Sequence, residues 1–284
     1  MSDNELGLFL RVHREAVTPA AVGLPAGPRR RAAGLRRSEV AALAGVSVEY
    51  VTRLEQGRDR RPSPQVLSAL ADALRLTAGE RVHLHRLTKA ADPGYNCRGD
   101  ATPAHTVRPT VQALLDRLEP TPAVLLNRLS DVLAHTAGFA RLAGPTGLLD
   151  AATPNLARFV FTDGRARGAY PDWDHVADEQ VAALKQGPFR ADPHLAALAD
   201  ELTVTAGDAF TRRVDTVAAL AKSSGILRLA HPEAGTLRLA YETLDLSADD
   251  DQRLIVHLPA DEPTSAALDR LNSHRAQPLR LVVG

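Results

Sequence analysis

The sequence has a single cysteine, Cys97, and three lysines, Lys89, Lys185 and Lys222, among 34 basic side chains. One thiol closes no intrachain disulfide, and no Cys/His set has zinc-ligand spacing, so a disulfide scaffold and a zinc site are both excluded and a reduced, cytoplasmic setting is expected. Long apolar runs are missing too. No stretch approaches the roughly 20 apolar residues of a membrane-spanning helix. The opening MSDNELGLFL carries no basic segment ahead of its apolar residues, so no export signal is expected. The signatures of common enzymes are also lacking: Gly-x-Ser-x-Gly, the P-loop, Gly-x-Gly-x-x-Gly and HExxH do not occur. His83 and His85 fall on different faces of a predicted helix, and Asp249, Asp250 and Asp251 form a solvated acidic run rather than a metal site. Neither catalytic residues, a metal nor a cofactor is expected, and the chain is not expected to be an enzyme.

What is present is unevenly distributed. The 284 residues suggest two domains, and the formal net charge of zero conceals two compositions. Residues 1–90 carry 15 basic against 9 acidic side chains, and residues 91–284 carry 19 against 25. A basic head suggests a polyanionic partner, and an acidic body argues against the whole chain lying along nucleic acid or an anionic membrane. Because the basic residues are almost all arginine, a bias typical of GC-rich coding sequences, their number says little; only their local clustering is informative.

Residues 5–15 place Leu6, Phe9 and Leu10 on one side at helical spacing, with Arg11 and Arg14 outside that stripe. The breaker-rich stretch 18–37 reads as a loop tipped by Arg29, Arg30 and Arg31. From Arg37, Ser38 is positioned to cap a short helix carrying Val40, Ala41, Leu43 and Ala44 that stops at Gly45. Ser47 caps a second helix, which turns Val51 and Leu54 inward and stops at Gly57. Ser63-Pro64 and Thr77 open a third and a fourth. Residues 1–90 are therefore predicted to be a compact all-α domain, 91–108 a linker, and 109–284 an α+β domain. In that last part, 123–134 suits a β-hairpin, and 226–246 alternates apolar with polar residues around the turn Pro232-Glu233-Ala234-Gly235. Residues 253–258 read as a further antiparallel strand, and helices are expected near 137–143, 172–186, 193–203 and 208–221.

The string RRSEVAALAGVSVEYVTRLEQGRDRRPS has the requirements of a helix-turn-helix. Ala41 is small where the helices approach, Gly45 accepts a left-handed turn, Val46 and Val51 seal the angle, and Leu54 anchors the second helix. It resembles the phage-repressor-like (XRE) class. That resemblance implies double-stranded DNA as partner and a recognition helix over Val48 to Gln56. Ser47, Val48, Glu49, Thr52 and Arg53 would face base edges, with Arg53 suited to guanine and Glu49 to cytosine. Arg36, Arg37, Gln56 and Arg58 would contact phosphate. It also implies an internal salt bridge between Glu55 and Arg14.

The remaining blocks, TPAVLLNRLSDVLAHTAGFARL, NLARFVF, YPDWDHVA, DPHLAALADELTV and HPEAGTLRLAYETLDL, resemble in order those of actinobacterial regulators with an MmyB-like carboxy-terminal domain. The resemblance implies a PAS-like α+β domain that binds a small apolar ligand such as a fatty acid and modulates DNA binding by a homodimer. Departures occur at His135-Thr136, where the family has Trp-Asn, and near Val214, where it has Trp. Leu126, Val132, Phe139, Phe159, Trp173, Phe210 and Tyr241 are the candidates to line a pocket. Asn127, Arg128, His135, His231 and Glu242 are the candidates to orient a polar head group. A carboxy-terminal module for dimerisation or protein interaction, without ligand, is the alternative.

Overall fold

The computed structural model describes residues 4–25, 33–59, 61–90, 102–103, 105–186, 189, 192–217, 221–246 and 252–273. The described residues of 1–100, 185–196 and 215–220 form one compact unit, and those of the remaining segments form a second. Cys97, the tip Arg29 to Arg31, most of the expected linker and the acidic run Asp249 to Asp251 lie outside the described residues.

The first unit contains α1 (Glu5–Ala16), α2 (Arg37–Ala44), α3 (Val48–Glu55), α4 (Pro64–Ala73) and α5 (Ala78–Ala90). The Asn4 side chain accepts the Gly7 N–H at 3.0 Å and starts α1, whose Leu6, Phe9 and Leu10 point into the core. Arg14, outside the apolar stripe, is buried at 9% exposure, where it meets the carboxylate of Glu55 as the resemblance implied. One correction concerns α2. Its cap is not Ser38, which is exposed in the first turn. The Glu39 carboxylate reaches back to accept the Arg36 N–H at 2.6 Å and closes the helix start. Ser63 and Pro64 open α4 as expected, and Thr77 and Glu80 bond reciprocally ahead of α5. Pro19–Val22 forms one 3-10 turn within the expected loop. Phe9, Leu35, Leu54, Leu70, Leu74 and Leu84 form the centre of this helical core.

The second unit is built on a five-stranded antiparallel sheet: β1 (Ala123–Leu126), β2 (Val132–His135), β3 (Ser224–His231), β4 (Gly235–Leu246) and β5 (Gln252–Pro259), in the order β2-β1-β5-β4-β3. All the strands expected from alternation are present. Helices α7 (Ala137–Ala143), α10 (Trp173–Leu184), α11 (Pro193–Ala206) and α12 (Asp208–Thr216) match expected segments, although α12 ends before 221. Helices α6 (Pro109–Leu118), α8 (Leu156–Thr162), α9 (Arg165–Ala169) and α13 (Glu262–Ser273) were not anticipated.

Register assigns the strand residues to two faces. Ala123 opposes Val256 and Leu125 opposes Leu254, and with Val111 and Leu115 of α6 they form one apolar cluster. The opposite face carries Val124 beside Ile255, Leu126 beside Arg253, and Tyr241 beside His257, with Val132 and His135 of β2 opposite Leu126 and Val124. Phe139 of α7 lies against this second face, its ring 5.9 Å from that of His257 and 6.1 Å from that of His135.

Candidate DNA-reading and ligand-binding sites

The turn between α2 and α3 is made by Gly45, whose φ of 66° lies in the left-handed region and whose N–H returns to the Ala41 carbonyl. The Val46 N–H bonds the same carbonyl at 3.0 Å. Ser47 then caps α3 through the Tyr50 N–H at 3.1 Å. Val51 and Leu54 enter the core, so the opposite side of α3 faces solvent: Ser47, Val48, Glu49 and Arg53 are exposed and Thr52 is half-buried. Of the five expected base-facing residues, Val48 is an apolar side chain left 39% exposed, and Arg53 rests its guanidinium 5.5 Å from the Tyr50 ring centroid. The Thr52 hydroxyl donates to the Val48 carbonyl at 2.8 Å and keeps its lone pairs for another donor. Arg36, Arg37, Gln56 and Arg58 are exposed at the ends of α2 and α3, where the sequence placed the phosphate contacts.

Behind this surface sits a charged network. The Glu55 carboxylate, its side chain 2% exposed, accepts Arg14 Nε at 2.6 Å and Arg37 Nε at 2.7 Å. Arg14 Nη1 also donates to the Leu35 carbonyl at 2.9 Å. Burial works against the Arg14 charge, but the hydrogen bonds and charges of Glu55 and Glu15 raise its pKa above the ordinary arginine value. The salt bridge implied by the resemblance is thus present, and Arg37 joins it. Sequence reasoning gave Arg37 only an external role, because nothing in local spacing places it near a residue 18 positions away. Asn4 Nδ2 donates to the Glu55 carbonyl at 2.6 Å, and a Cβ on Gly7 would lie 2.4 Å from that same oxygen. Helix α1 therefore approaches the end of α3 so closely that only glycine fits.

In the second unit the candidate ligand residues fall into separate groups. Leu126, Val132, His135, Phe139 and Tyr241 share the face of the sheet described above. Trp173 and Phe210 belong to a helical cluster, in which Phe161 meets Phe210 and Trp173 edge-on at 5.1 and 6.1 Å, and Phe159 meets Tyr170 edge-on at 6.3 Å. Trp173 is already fully engaged: Nε1 donates to the Val160 carbonyl at 2.9 Å, and the guanidinium carbons of Arg167 and Arg213 stand 3.7 and 4.9 Å from its centroid. Asn127 organises its own turn. Its Oδ1 accepts the N–H groups of Leu129 and Asp131 at 2.9 and 3.0 Å, and its Nδ2 donates to Asp131 at 2.9 Å. Arg128 is half-buried and His135 exposed, with Nδ1 3.0 Å from the Thr136 carbonyl oxygen. His231 caps the β3–β4 turn through the N–H groups of Glu233 and Ala234 at 3.1 Å, and Glu242 is exposed.

Two polar residues on that sheet face were not singled out from sequence. Arg253 and His257 are both buried, at 7% exposure, and burial pushes the His257 imidazole down to about 4 despite a backbone bond at Pro122 that favours the charge. In the string RLIVHL they look like the polar half of an ordinary alternation. A strand buried on both sides is ordinarily apolar throughout, yet the structure covers both residues. Among the described residues no three His, Cys, Asp or Glu side chains come together as a metal site, and no helix is long and apolar enough to cross a membrane.

Comparison with known proteins agrees with this division. Residues 5–84 match a helix-turn-helix domain, and residues 107–271 match the MmyB-like transcription regulator ligand binding domain. No curated protein matches the chain. The carboxy-terminal match alone spans more than half of the sequence, and the chain belongs to the MmyB-like family: it is a DNA-binding transcription regulator with a ligand-binding domain.

Proposed function

We propose that this regulator binds DNA sequence-specifically as a cytoplasmic homodimer, and that its carboxy-terminal domain, a PAS-like sensor, takes up a small apolar ligand of the fatty-acid kind. It acts by binding and not by turnover. The division of labour within α3 carries the DNA reading. Val51 and Leu54 lock one side of the helix into the core while Ser47, Val48, Glu49 and Arg53 remain outside, which suits a helix lying in a major groove. Arg53 would read a guanine and Val48 a thymine methyl, and Arg36, Arg37, Gln56 and Arg58 would hold phosphates. Two such helices in a dimer would engage half-sites about 34 Å apart.

For the sensor, the supporting feature is the sheet face bearing Leu126, Val124, Ile255 and Phe139, apolar yet furnished with buried polar groups, a combination common in ligand sites. The full chain is to be incubated with a randomised duplex library, and the selected sequences footprinted with and without added straight-chain fatty acid. A selected palindrome whose occupancy changes at least several-fold with fatty acid is expected. Absence of any selected sequence would overturn the DNA reading, and unchanged occupancy would overturn the sensing.

A second reading is favoured by one observation. Ile226 and Leu258 flank Ala240 in one row across β3, β4 and β5 and are each 50% exposed, and Leu244 of β4 is 46% exposed on the same face. Such a row suits a module whose task is self-association. If sedimentation gives a dimer that Leu258→Asp and Ile226→Asp dissociate, while fatty acid leaves DNA binding unchanged, this reading replaces the sensor. A monomer at DNA-binding concentrations would overturn the homodimer in both.

A further inference from the structure

Lys185 is completely buried, its side chain 0% exposed. It directly follows Leu184, the last residue of α10, yet it belongs to the first compact unit, as does Val217 just past the end of α12. Its ammonium stands 3.0 Å from the carboxylate of Glu5, the residue that opens α1, and donates to the Val217 carbonyl at 2.8 Å. One charged atom thus gathers three places far apart in the chain: the residues that follow α10 and α12, and the start of α1.

Burial decides how such a group responds when a partner moves. An exposed ion pair parts at little cost, because water takes over each charge. A buried ammonium has no such substitute, and separating it from its carboxylate strands the charge. Lys185 and Val217 therefore cannot shift against the first turn of α1 without breaking the pair, and the cheaper response is for α1 to follow.

Where α1 goes, the end of α3 goes too. Asn4, the neighbour of Glu5, donates from Nδ2 to the Glu55 carbonyl at 2.6 Å, while its Oδ1 accepts the Gly7 N–H. A Cβ on Gly57, just beyond α3, would stand 2.7 Å from Asn4 Cγ, as close an approach as the one at Gly7 described above. The first turn of α1 and the end of α3 therefore touch without slack, and interiors packed this densely transmit displacement. Lys185, Glu5, Asn4 and Glu55 form a continuous path from the residue after α10 to the helix that carries Arg53.

We propose that Lys185 is a positioning residue for DNA binding. Its ammonium holds the first turn of α1 and, through Asn4, sets the end of α3, so that a change in the segments following α10 and α12 alters how α3 meets a duplex. This rests on the reading of α3 as the helix that faces base edges, and adds a route by which the carboxy-terminal part of the chain acts on it. Lys185 acts through Glu5 and, being fully buried, meets no phosphate itself.

The test compares Lys185→Met, Glu5→Gln and the double variant, each as the full chain, by anisotropy titration with the duplex selected from the randomised library, at a temperature where all are folded. Each single variant is expected to bind about 3- to 30-fold more weakly than wild type. The double variant should bind no more weakly than the worse single one, since both changes remove the same link. The salt slope should match that of wild type, because no phosphate contact is lost. Unchanged affinity in the folded variants makes Lys185 merely structural and overturns the proposal, as do losses that add or a lowered salt slope.

Hydrogen exchange of the DNA-free protein gives a second readout, which decides the link even if no duplex is selected and the reading of α3 falls. In Glu5→Gln the amides of 48–57 should exchange at least about 10-fold faster while those of α4 keep their rate. Faster exchange throughout the helical unit, or in neither segment, overturns the link. If Lys185→Met does not fold, Glu5→Gln, at a side chain 21% exposed, carries both measurements.

Discussion

Arg14 Nε donates to Glu55 Oε1 across 2.6 Å although the residues are 41 positions apart, and this bond ties α1 to the end of α3. Removing one member of a buried pair strands the other charge. Arg14→Ala should therefore destabilise the helix-turn-helix unit by about 3 kcal/mol, even with Arg37 still on Glu55. Urea unfolding of the full chain, followed by signals specific to each unit, checks this; a loss below about 0.5 kcal/mol would make the pair a surface-like ornament.

Gly7→Ala pits helix propensity against space. Alanine is ordinarily worth about 1 kcal/mol more than glycine within a helix. Here its Cβ would meet the Glu55 carbonyl oxygen at 2.4 Å and the Asn4 side chain at 2.3 Å. The contact with backbone cannot be relieved by a rotamer, so a net loss of about 1 to 3 kcal/mol is expected. A raised melting temperature for Gly7→Ala would contradict it.

The proposed reading of α3 separates Arg53 from Arg58. Arg53→Ala should cost about 1 to 3 kcal/mol on the selected operator and relax preference at one base pair, with little change on random DNA. Arg58→Ala should weaken all sequences alike and lower the salt slope by about 1. Anisotropy titrations at several salt concentrations decide it. Equal losses for Arg53→Ala on operator and random DNA would remove its base-reading role.

His257 gives the second unit a pH dependence. Its imidazole is held at about 4 when folded, against 6.5 when solvated, so the unfolded chain takes up the proton first as pH falls. Stability is complete above about 6.5 and declines as pH drops through about 4, by roughly 3 kcal/mol. The Phe139 ring and Tyr241 are its neighbours on that face, and Arg253 lies along the same strand. His257→Gln should flatten this slope between pH 6.5 and 4 in denaturant titrations; an unchanged slope would place the proton elsewhere.

Much of the architecture could be read from order and spacing alone. Gly45, Val46, Val51 and Leu54 specify the helix-turn-helix within 10 residues, because each acts on a neighbour in the chain. The strands of 226–246 announce themselves by strict alternation. Helices α8 and α9 were missed because they are 7 and 5 residues long, too short for a period to repeat. Spacing alone set Arg14 outside the apolar stripe, because an inward-facing charge looks like an outward one until its partner is known, and that partner, Glu55, came only from the resemblance. Arg253 was overlooked for the same reason: its burial depends on Ser130, 123 residues earlier. The hidden part is what long-range contacts decide, and here that includes the polar half of both sites.

Arg37 commits its Nε to Glu55, yet its side chain stays 44% exposed, and among the described residues its terminal amino groups bond nothing else. A free surface arginine surrenders about 2 kcal/mol of rotamer freedom when a ligand immobilises it. In Arg37 part of that freedom is already gone once the domain has folded. Under the proposed phosphate role, a duplex arriving at α2 would meet a stiffened arm, and the contact would form with a smaller entropy loss than its neighbours Arg36 and Arg58 incur.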